Sequence, residues 1–423
     1  MLKLKNIVFE DNGKKISYDY SVDQTIKKYF IEENFFYIKY NEDVGKTPDS
    51  IAVIPFLSNF LPIAWFAGFI IQIDEIDATF YEALKVIKSK FERDHNRELK
   101  GDLIVNKVII NKINGSKSVM LFSGGVDAFA TYIRIFDKTP DLVTIHGADI
   151  EIKEIEEWND LVGFIETEPL LNKNKKKYIE TNLRDFYNFN VDLLLEDIGW
   201  WGKIQHGLAL IGSIAPLSFI NNYSTIYIAS SYTDQIDINW GSTPDIDNEI
   251  KWANIQTIHD GYELKRQDKV DLISDFTNKN NQNLRLRVCY SELKEDFNCS
   301  HCEKCFRTII GIILSGKDPN NFGFIVKKEF YLEIFDKLNS SSFSKGTKYF
   351  WWELMEKAKN TKEYFILEDK DYELPYLEKI KNGEIDLMFK RNITKTKKFN
   401  ITKYKFVLRN KFPLLFKLYK KIR

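Results

Sequence analysis

Ser-Val-Met-Leu-Phe-Ser-Gly-Gly-Val-Asp-Ala-Phe-Ala-Thr-Tyr-Ile-Arg, residues 118–134, passes from a buried strand through a tight turn into a helix. Val119–Phe122 is a short apolar run, suited to a parallel strand covered on both faces. Ser123-Gly124-Gly125 interrupts it, and helical spacing resumes at Val126. Two adjacent glycines permit a tight turn and bring backbone N–H groups close to an anion. The helix N-terminus behind them adds donors without intrahelical partners, at the positive end of the helix dipole. Strand, glycine turn and helix together make a phosphate cradle. The Lys-Ser/Thr of a Walker loop and the spacing of a dinucleotide fingerprint are both missing from it.

A second constellation is made of cysteine. The four cysteines of the chain, Cys289, Cys299, Cys302 and Cys305, all fall between positions 289 and 305, and the last three form two overlapping Cys-x-x-Cys steps. Clustered thiols of this spacing suit a metal rather than scattered disulfides. Four thiolates match tetrahedral Zn²⁺ in a structural role; an iron–sulfur cluster and redox-active thiols are the other chemistries that fit. Lys304 and Arg307 are expected to offset the charge of the tetrathiolate. His301 lies inside the knuckle but is surplus to four cysteine ligands.

Between the two motifs, strand-like and helix-like segments alternate. Leu142–His146, Lys177–Asn182 and Ser224–Ala229 read as strands, and 200–218 has helical apolar spacing. This alternation predicts an α/β fold, a doubly wound parallel sheet with helices on both faces. Ligands of such sheets bind beyond the carboxyl ends of the strands. The pocket candidates are therefore 123–127, His146-Gly147, Asn182 and Ser230-Ser231-Tyr232. The polar loop that follows residue 229 is long for a compact domain, and Tyr232, Asp234, Trp240, Ser242 and Asp245 on it are candidates to meet a planar substrate. His206, among apolar neighbours, reads as a core histidine, His259-Asp260-Gly261 as a turn, and Arg266 and Lys269 as solvated helix charges.

Ser123-Gly124-Gly125-Val126-Asp127 resembles the PP-loop of the ATP pyrophosphatase superfamily, whose pattern is Ser-Gly-Gly-x-Asp-Ser. That superfamily includes asparagine and GMP synthetases, tRNA-thiolating enzymes and 7-cyano-7-deazaguanine synthase. The last is similar in a further respect, a late cluster of one cysteine followed by two Cys-x-x-Cys steps. The resemblance covers about residues 115–315 and implies adenylation of a carboxylate or amide carbonyl by ATP, followed by attack of ammonia or an amine. It implies that Ser123, Gly124, Gly125, Val126 and Asp127 surround the ATP phosphates, with Ser123 and Asp127 catalytic and Asp127 near Mg²⁺. His146, Gly147 and Ser230 would complete the nucleotide site, and Cys289, Cys299, Cys302 and Cys305 would hold Zn²⁺. Ala128 departs from the pattern, replacing a serine hydroxyl with a methyl, and Thr243-Pro244-Asp245 matches the synthase's Tyr-Pro-Asp segment only in part. Two other classes remain: a tRNA-modifying PP-loop enzyme, and a non-catalytic nucleotide-binding component of a multi-protein system such as phage defence.

Formal charge is zero, with 61 basic and 61 acidic residues, yet the distribution is uneven. From Lys390 onward there are 13 Lys/Arg and no acid, so the first 389 residues hold 48 basic against 61 acidic residues. Residues 411–423 have the pattern of a basic amphipathic helix for an anionic membrane surface, and the same tail suits RNA phosphates or packing on the chain's own acidic part. Met1-Leu2-Lys3-Leu4-Lys5 runs straight into strand-like sequence without a secretory signal, so the expected location is cytoplasmic, with a peripheral membrane position through the tail as the alternative. Ile51–Ile73 carries no charge until Asp74, but its prolines and polar residues predict two buried segments, 51–56 and 66–73, joined by a proline turn rather than a membrane span. The expected organisation is an N-terminal α/β domain over 1–112, serving as a lid, a substrate module or a homodimer contact. The PP-loop domain with its knuckle then spans 113–325, a helical extension 326–389 and the basic tail 390–423.

Overall fold

The computed structural model describes residues 1–289, 297–340, 343–393, 406–407 and 409–411. Its strands are β1 (Leu2–Glu10), β2 (Lys15–Val22), β3 (Tyr37–Tyr40), β4 (Ile70–Asp77), β5 (Asp102–Ile109), β6 (Lys117–Leu121), β7 (Asp141–His146), β8 (Lys176–Thr181), β9 (Tyr223–Ala229) and β10 (Gln256–Asp260). All ten join one sheet in the order β10-β9-β6-β7-β8-β3-β2-β1-β4-β5. Strands β6 to β10 run parallel. β6 lies at their centre, with β7 and β8 added on one side and β9 and β10 on the other. The order therefore reverses between β6 and β9, and the crevice of a doubly wound sheet opens at the carboxyl ends of those two strands.

Alternating side chains explain the helices on both faces. Val119, Val143, Ile145, Ile226 and Ile228 enter one core with the helices Ile54–Ala67, His206–Gly212 and Ala215–Asn221. Met120, Leu142 and Tyr227 enter the other with the helices Val126–Arg134, Ile155–Thr167, Arg266–Asn280 and Glu303–Leu314. Each β7 residue is buried, as a central parallel strand requires.

Residues 1–112 extend this same sheet. β3 pairs antiparallel with β8, Ile38 opposite Thr181. The Tyr37 N–H donates to Asn182 Oδ1 at 3.0 Å, and Thr181 Oγ1 donates to the Tyr37 carbonyl at 2.7 Å. The core on that face runs unbroken from Leu2 to Ile255.

The segment 51–73 differs from the sequence expectation. A single helix, Ile54–Ala67, carries Pro62 in its interior, and Gly68 closes it in a left-handed conformation (φ +77°) before β4 begins. With 14 residues it is about 21 Å long, short of a bilayer. The proline is tolerated because every residue from Ile54 to Phe66 is packed in protein, and tertiary burial outweighs one lost helical hydrogen bond. Among the described residues one other helical run, Trp201–Asn221, has the length and composition to cross a membrane, and most of it is buried inside the protein. Asp77 ends β4 and caps the helix Ala78–Asp94 by accepting the Phe80 N–H at 3.0 Å.

The extension consists of the helices Phe330–Ser340, Lys345–Asn360, Lys370–Lys381 and Glu384–Ile393, packed beside Glu303–Leu314. The amphipathic pattern at 411–423 lies outside the described residues except at Lys411. Phe406, within the basic tail, meets Phe189 edge-on at 6.3 Å between ring centroids.

Candidate functional site

The turn after β6 depends on Gly124, whose φ is +74°. A β-carbon there would also sit 2.9 Å from the Phe164 ring. The Gly124 carbonyl accepts the Arg287 N–H at 2.8 Å, which ties the turn to the segment leading into the cysteine knuckle. Gly125 takes the N-cap position of the helix Val126–Arg134, so the donors of its first turn face the crevice end of the sheet. Val126 is buried in the core and, with Gly125, also borders the cationic cavity beside the turn.

Two cavities meet at this turn. One, of about 160 Å³, is walled mainly by Val143, Ile145, Ala148, Ile150, Leu161 and Ile228, with Ala128 among its lining residues. The other, of about 220 Å³, is lined by Arg266, Arg287, Lys304 and Arg307 with the aromatic rings of Tyr232 and Phe350. Ser123, Asp127, Asp149, His206, Ser231 and Arg287 border both. An apolar chamber thus adjoins a cationic one, with the glycine turn between them.

Asp127 is held from two sides: Arg266 approaches Oδ2 at 2.8 Å and Lys269 approaches Oδ1 at 3.2 Å. Lys269 also donates to the Ser230 carbonyl at 2.5 Å. Burial depresses the Lys269 ammonium, and the Asp127 charge opposes that shift. These two cations are not the solvated helix charges expected from sequence, since Lys269 is only 2% exposed. Lys269 is turned inward onto Asp127 and the Ser230 carbonyl, while Phe350 of the extension covers Arg266. Lys304 and Arg307 likewise reach the cationic chamber instead of serving the knuckle alone. Burial lowers both, Lys304 to about 8. Phe350, from the extension, stacks on Tyr232 at 5.5 Å and 8° and lies 5.0 Å from the Arg266 guanidinium and 4.4 Å from that of Arg307. Nothing in the sequence spacing ties Phe350 to residue 232.

Several expected pocket residues sit elsewhere. His146 stacks on Trp158 at 4.7 Å and 5°, and its Nε2 meets the Glu151 carbonyl at 3.1 Å, so it borders neither cavity. The strand pleat explains this: Ile145 and His146 point to opposite faces. Gly147 (φ +97°) turns the chain where a β-carbon would collide with the Thr181 carbonyl. Ser230 is buried and donates to the Tyr232 carbonyl at 2.6 Å, leaving Ser231 to face the chambers. Asn182 fastens β8 to the Phe35 carbonyl at 2.6 Å. From the long loop, Tyr232 and Trp240 do line the cationic chamber, whereas Asp245 pairs with Lys90 at 3.0 Å and Ser242 donates to Asp247 at 2.6 Å. His206, read as a core histidine, borders both chambers. His259 and Asp260 close β10 as strand residues, so the turn read over 259–261 begins only at Gly261, and His259 Nδ1 lies 2.7 Å from Asp247 Oδ2.

The four cysteines converge. Their sulfurs all lie within 4.8 Å of one another, with Cys302–Cys305 at 3.5 Å and Cys299–Cys305 and Cys302–Cys289 at 3.9 Å. Zinc–sulfur bonds of about 2.3 Å in a tetrahedron place sulfurs about 3.8 Å apart, so this cluster could hold zinc. Asn298 Oδ1 accepts the N–H groups of Val288 (3.0 Å) and Cys289 (3.2 Å), joining both arms of the knuckle. Cys302 is the N-cap of the helix Glu303–Leu314, which carries Lys304 and Arg307 into the chamber. His301 lies outside the cluster, 2.6 Å from Glu333.

Glu353 braces the site from behind, accepting the Gln267 N–H at 3.2 Å. Burial pushes its carboxyl from 4.5 up to about 7, against the opposing Gln267 N–H and Arg266. A carboxyl raised in this way favours the folded state below its unfolded pKa and loses that contribution as pH climbs from about 4.5 to about 7. Glu353→Gln is expected to flatten this decline, gaining up to about 3 kcal/mol at pH 8 and little at pH 4.5 in urea melts. An equal change at both pH values would show that Glu353 is not the titrating group.

Searches of protein-family models, characterised proteins and solved structures return no match for this chain.

Proposed function

We propose that the protein is an ATP-dependent, AMP-forming C–N ligase of the PP-loop type, resembling 7-cyano-7-deazaguanine synthase. The observation carrying this reading is the glycine turn at the reversal point of the sheet, flanked by one apolar and one cationic chamber. An adenosine moiety would occupy the apolar chamber, and the triphosphate would lie along the turn toward Arg266, Lys304 and Arg307. Donors fixed before the reaction stabilise charge on the leaving pyrophosphate without reorganisation. Mg²⁺, when bound, would shield phosphate charge. Asp127 departs from a simple metal-ligand role, because Arg266 and Lys269 already neutralise it. Tyr232, Trp240 and Phe350 would hold the carboxylate substrate beside the triphosphate. Zinc is assigned a structural role, since four cysteine ligands leave no open position.

The double engagement of Asp127, together with Ala128, favours one second reading: a nucleotide-binding component without turnover. Incubation with Mg²⁺-ATP, ammonium and a carboxylate panel including 7-carboxy-7-deazaguanine separates the two. Carboxylate-dependent AMP and pyrophosphate are the expected products. ADP would refute the adenylating reading, and tight ATP binding without any nucleotide product would select the second.

A further inference from the structure

We infer that His206 is the proton acceptor for the amine nucleophile, an inference that rests on the adenylating reading above. His206 stands where the two chambers join, bordering both, with Asp149 at the same junction. Its ring is framed by Trp201 at 5.2 Å and Trp240 at 5.3 Å, and its Nδ1 has no hydrogen-bond partner among the described residues. A half-buried imidazole between two indoles, with one nitrogen buried and unused, is a costly arrangement for packing alone.

The backbone around it is held firmly. A π-helical turn, Trp201–Gln205, leads into the residue, and such turns are frequent at functional sites. Gln205 donates to Asn59 Oδ1 at 2.7 Å and to the Leu183 carbonyl at 2.6 Å. The Gly207 N–H donates to the Gly241 carbonyl at 3.1 Å. Both neighbours of His206 are therefore anchored to other elements, which suits a group that must meet a reacting atom.

Its charge environment fits the task. Burial lowers the affinity of His206 for a proton, so the imidazole is neutral near pH 7. Asp149 and Asp247 oppose that shift, while Arg184 and His259 reinforce it. Asp149 then stabilises the imidazolium once it forms. Of the other bases at the junction, Asp127 is bridged by Arg266 and Lys269. In the step itself the amine nitrogen attacks the acyl-adenylate carbonyl and the C–N bond forms. The C–O bond to AMP breaks, AMP leaves with the electron pair, and the proton lost from nitrogen passes to His206.

The two half-reactions allow a decisive test with the full-length protein, using 7-carboxy-7-deazaguanine or whichever panel carboxylate supports ATP–pyrophosphate exchange. His206→Gln is expected to retain exchange, because adenylation does not use the base. Amide formation with ammonium should fall by at least about 100-fold. The wild-type rate should rise with pH through an acid limb below the ordinary histidine value of about 6.5, and the variant should lack that limb. Imidazole added to His206→Ala should restore part of the rate. Unchanged amide formation and acid limb in the variant would overturn the role, as would parallel loss of exchange. Absence of exchange in the wild type with every carboxylate would instead overturn the adenylating reading, and the role of His206 with it.

Discussion

Stripping metal from the Cys289, Cys299, Cys302 and Cys305 cluster is expected to release about one zinc ion per chain and to lower the melting temperature by at least about 10 °C. The sulfurs are already at tetrahedral separations, so a +2 ion would fill a preformed site. Without it, the hydrogen bond to Cys289 holds the Cys302 thiol up to about 11, and weak sulfur contacts stand where strong metal bonds would be. Structural zinc is worth on the order of 10 kcal/mol in small domains, and even part of that exceeds the margin of a typical protein. The damage should reach the chamber, because the helix carrying Lys304 and Arg307 starts at Cys302. Cys305→Ser should reproduce it. Metal analysis with chelator-dependent melting is the measurement; protein that melts identically before and after chelation would refute a structural metal, and a visible iron–sulfur spectrum would replace zinc with a cluster.

The second large effect concerns Asp127. Asp127→Ala is expected to destabilise the protein by about 3–5 kcal/mol, since it leaves Lys269 buried without its counter-charge. Loss of turnover in that variant would therefore mix chemistry with folding. Lys269→Met added to Asp127→Ala should recover much of the stability, giving a favourable coupling energy of about 1–3 kcal/mol in a double-mutant cycle. Denaturant melts of the four proteins measure it. Additive effects would mean that the pair contributes no coupling, and Arg266 would then be the partner that matters.

The site was legible where chemistry depends on local spacing. Ser123-Gly124-Gly125 and the four cysteines announce a tight turn ahead of a helix and a cysteine cluster that could hold zinc, because turn geometry and ligand spacing are properties of a few adjacent residues. The parallel strands were legible for a similar reason, as short apolar runs between helical patterns. Facing was harder to read. Lys269 and Arg266 look like ordinary surface charges on a helix, and only the folded arrangement brings both onto Asp127, with Phe350 covering Arg266. His146 borders neither chamber, because alternate residues of a strand face opposite ways and Ile145 takes the chamber side. Phe350 enters from more than a hundred residues beyond Tyr232, a distance at which sequence pattern carries no signal. The helix over Pro62 was hidden for a different reason: propensity disfavours it, and complete burial overrides propensity.

The pairing of β3 with β8 has a consequence for how the chain is made. One edge of Tyr37–Tyr40 is taken by Lys15–Val22, but its other edge finds a partner only at Lys176–Thr181, synthesised far later. Strand contacts of such long sequence separation are slow to form, and until then β3 presents an unpaired edge. At typical elongation rates of about 5–20 residues per second, that edge stays open for roughly 7–30 s on the ribosome. Joining of the N-terminal strands to the parallel sheet is thus an event that waits for β8 to be made.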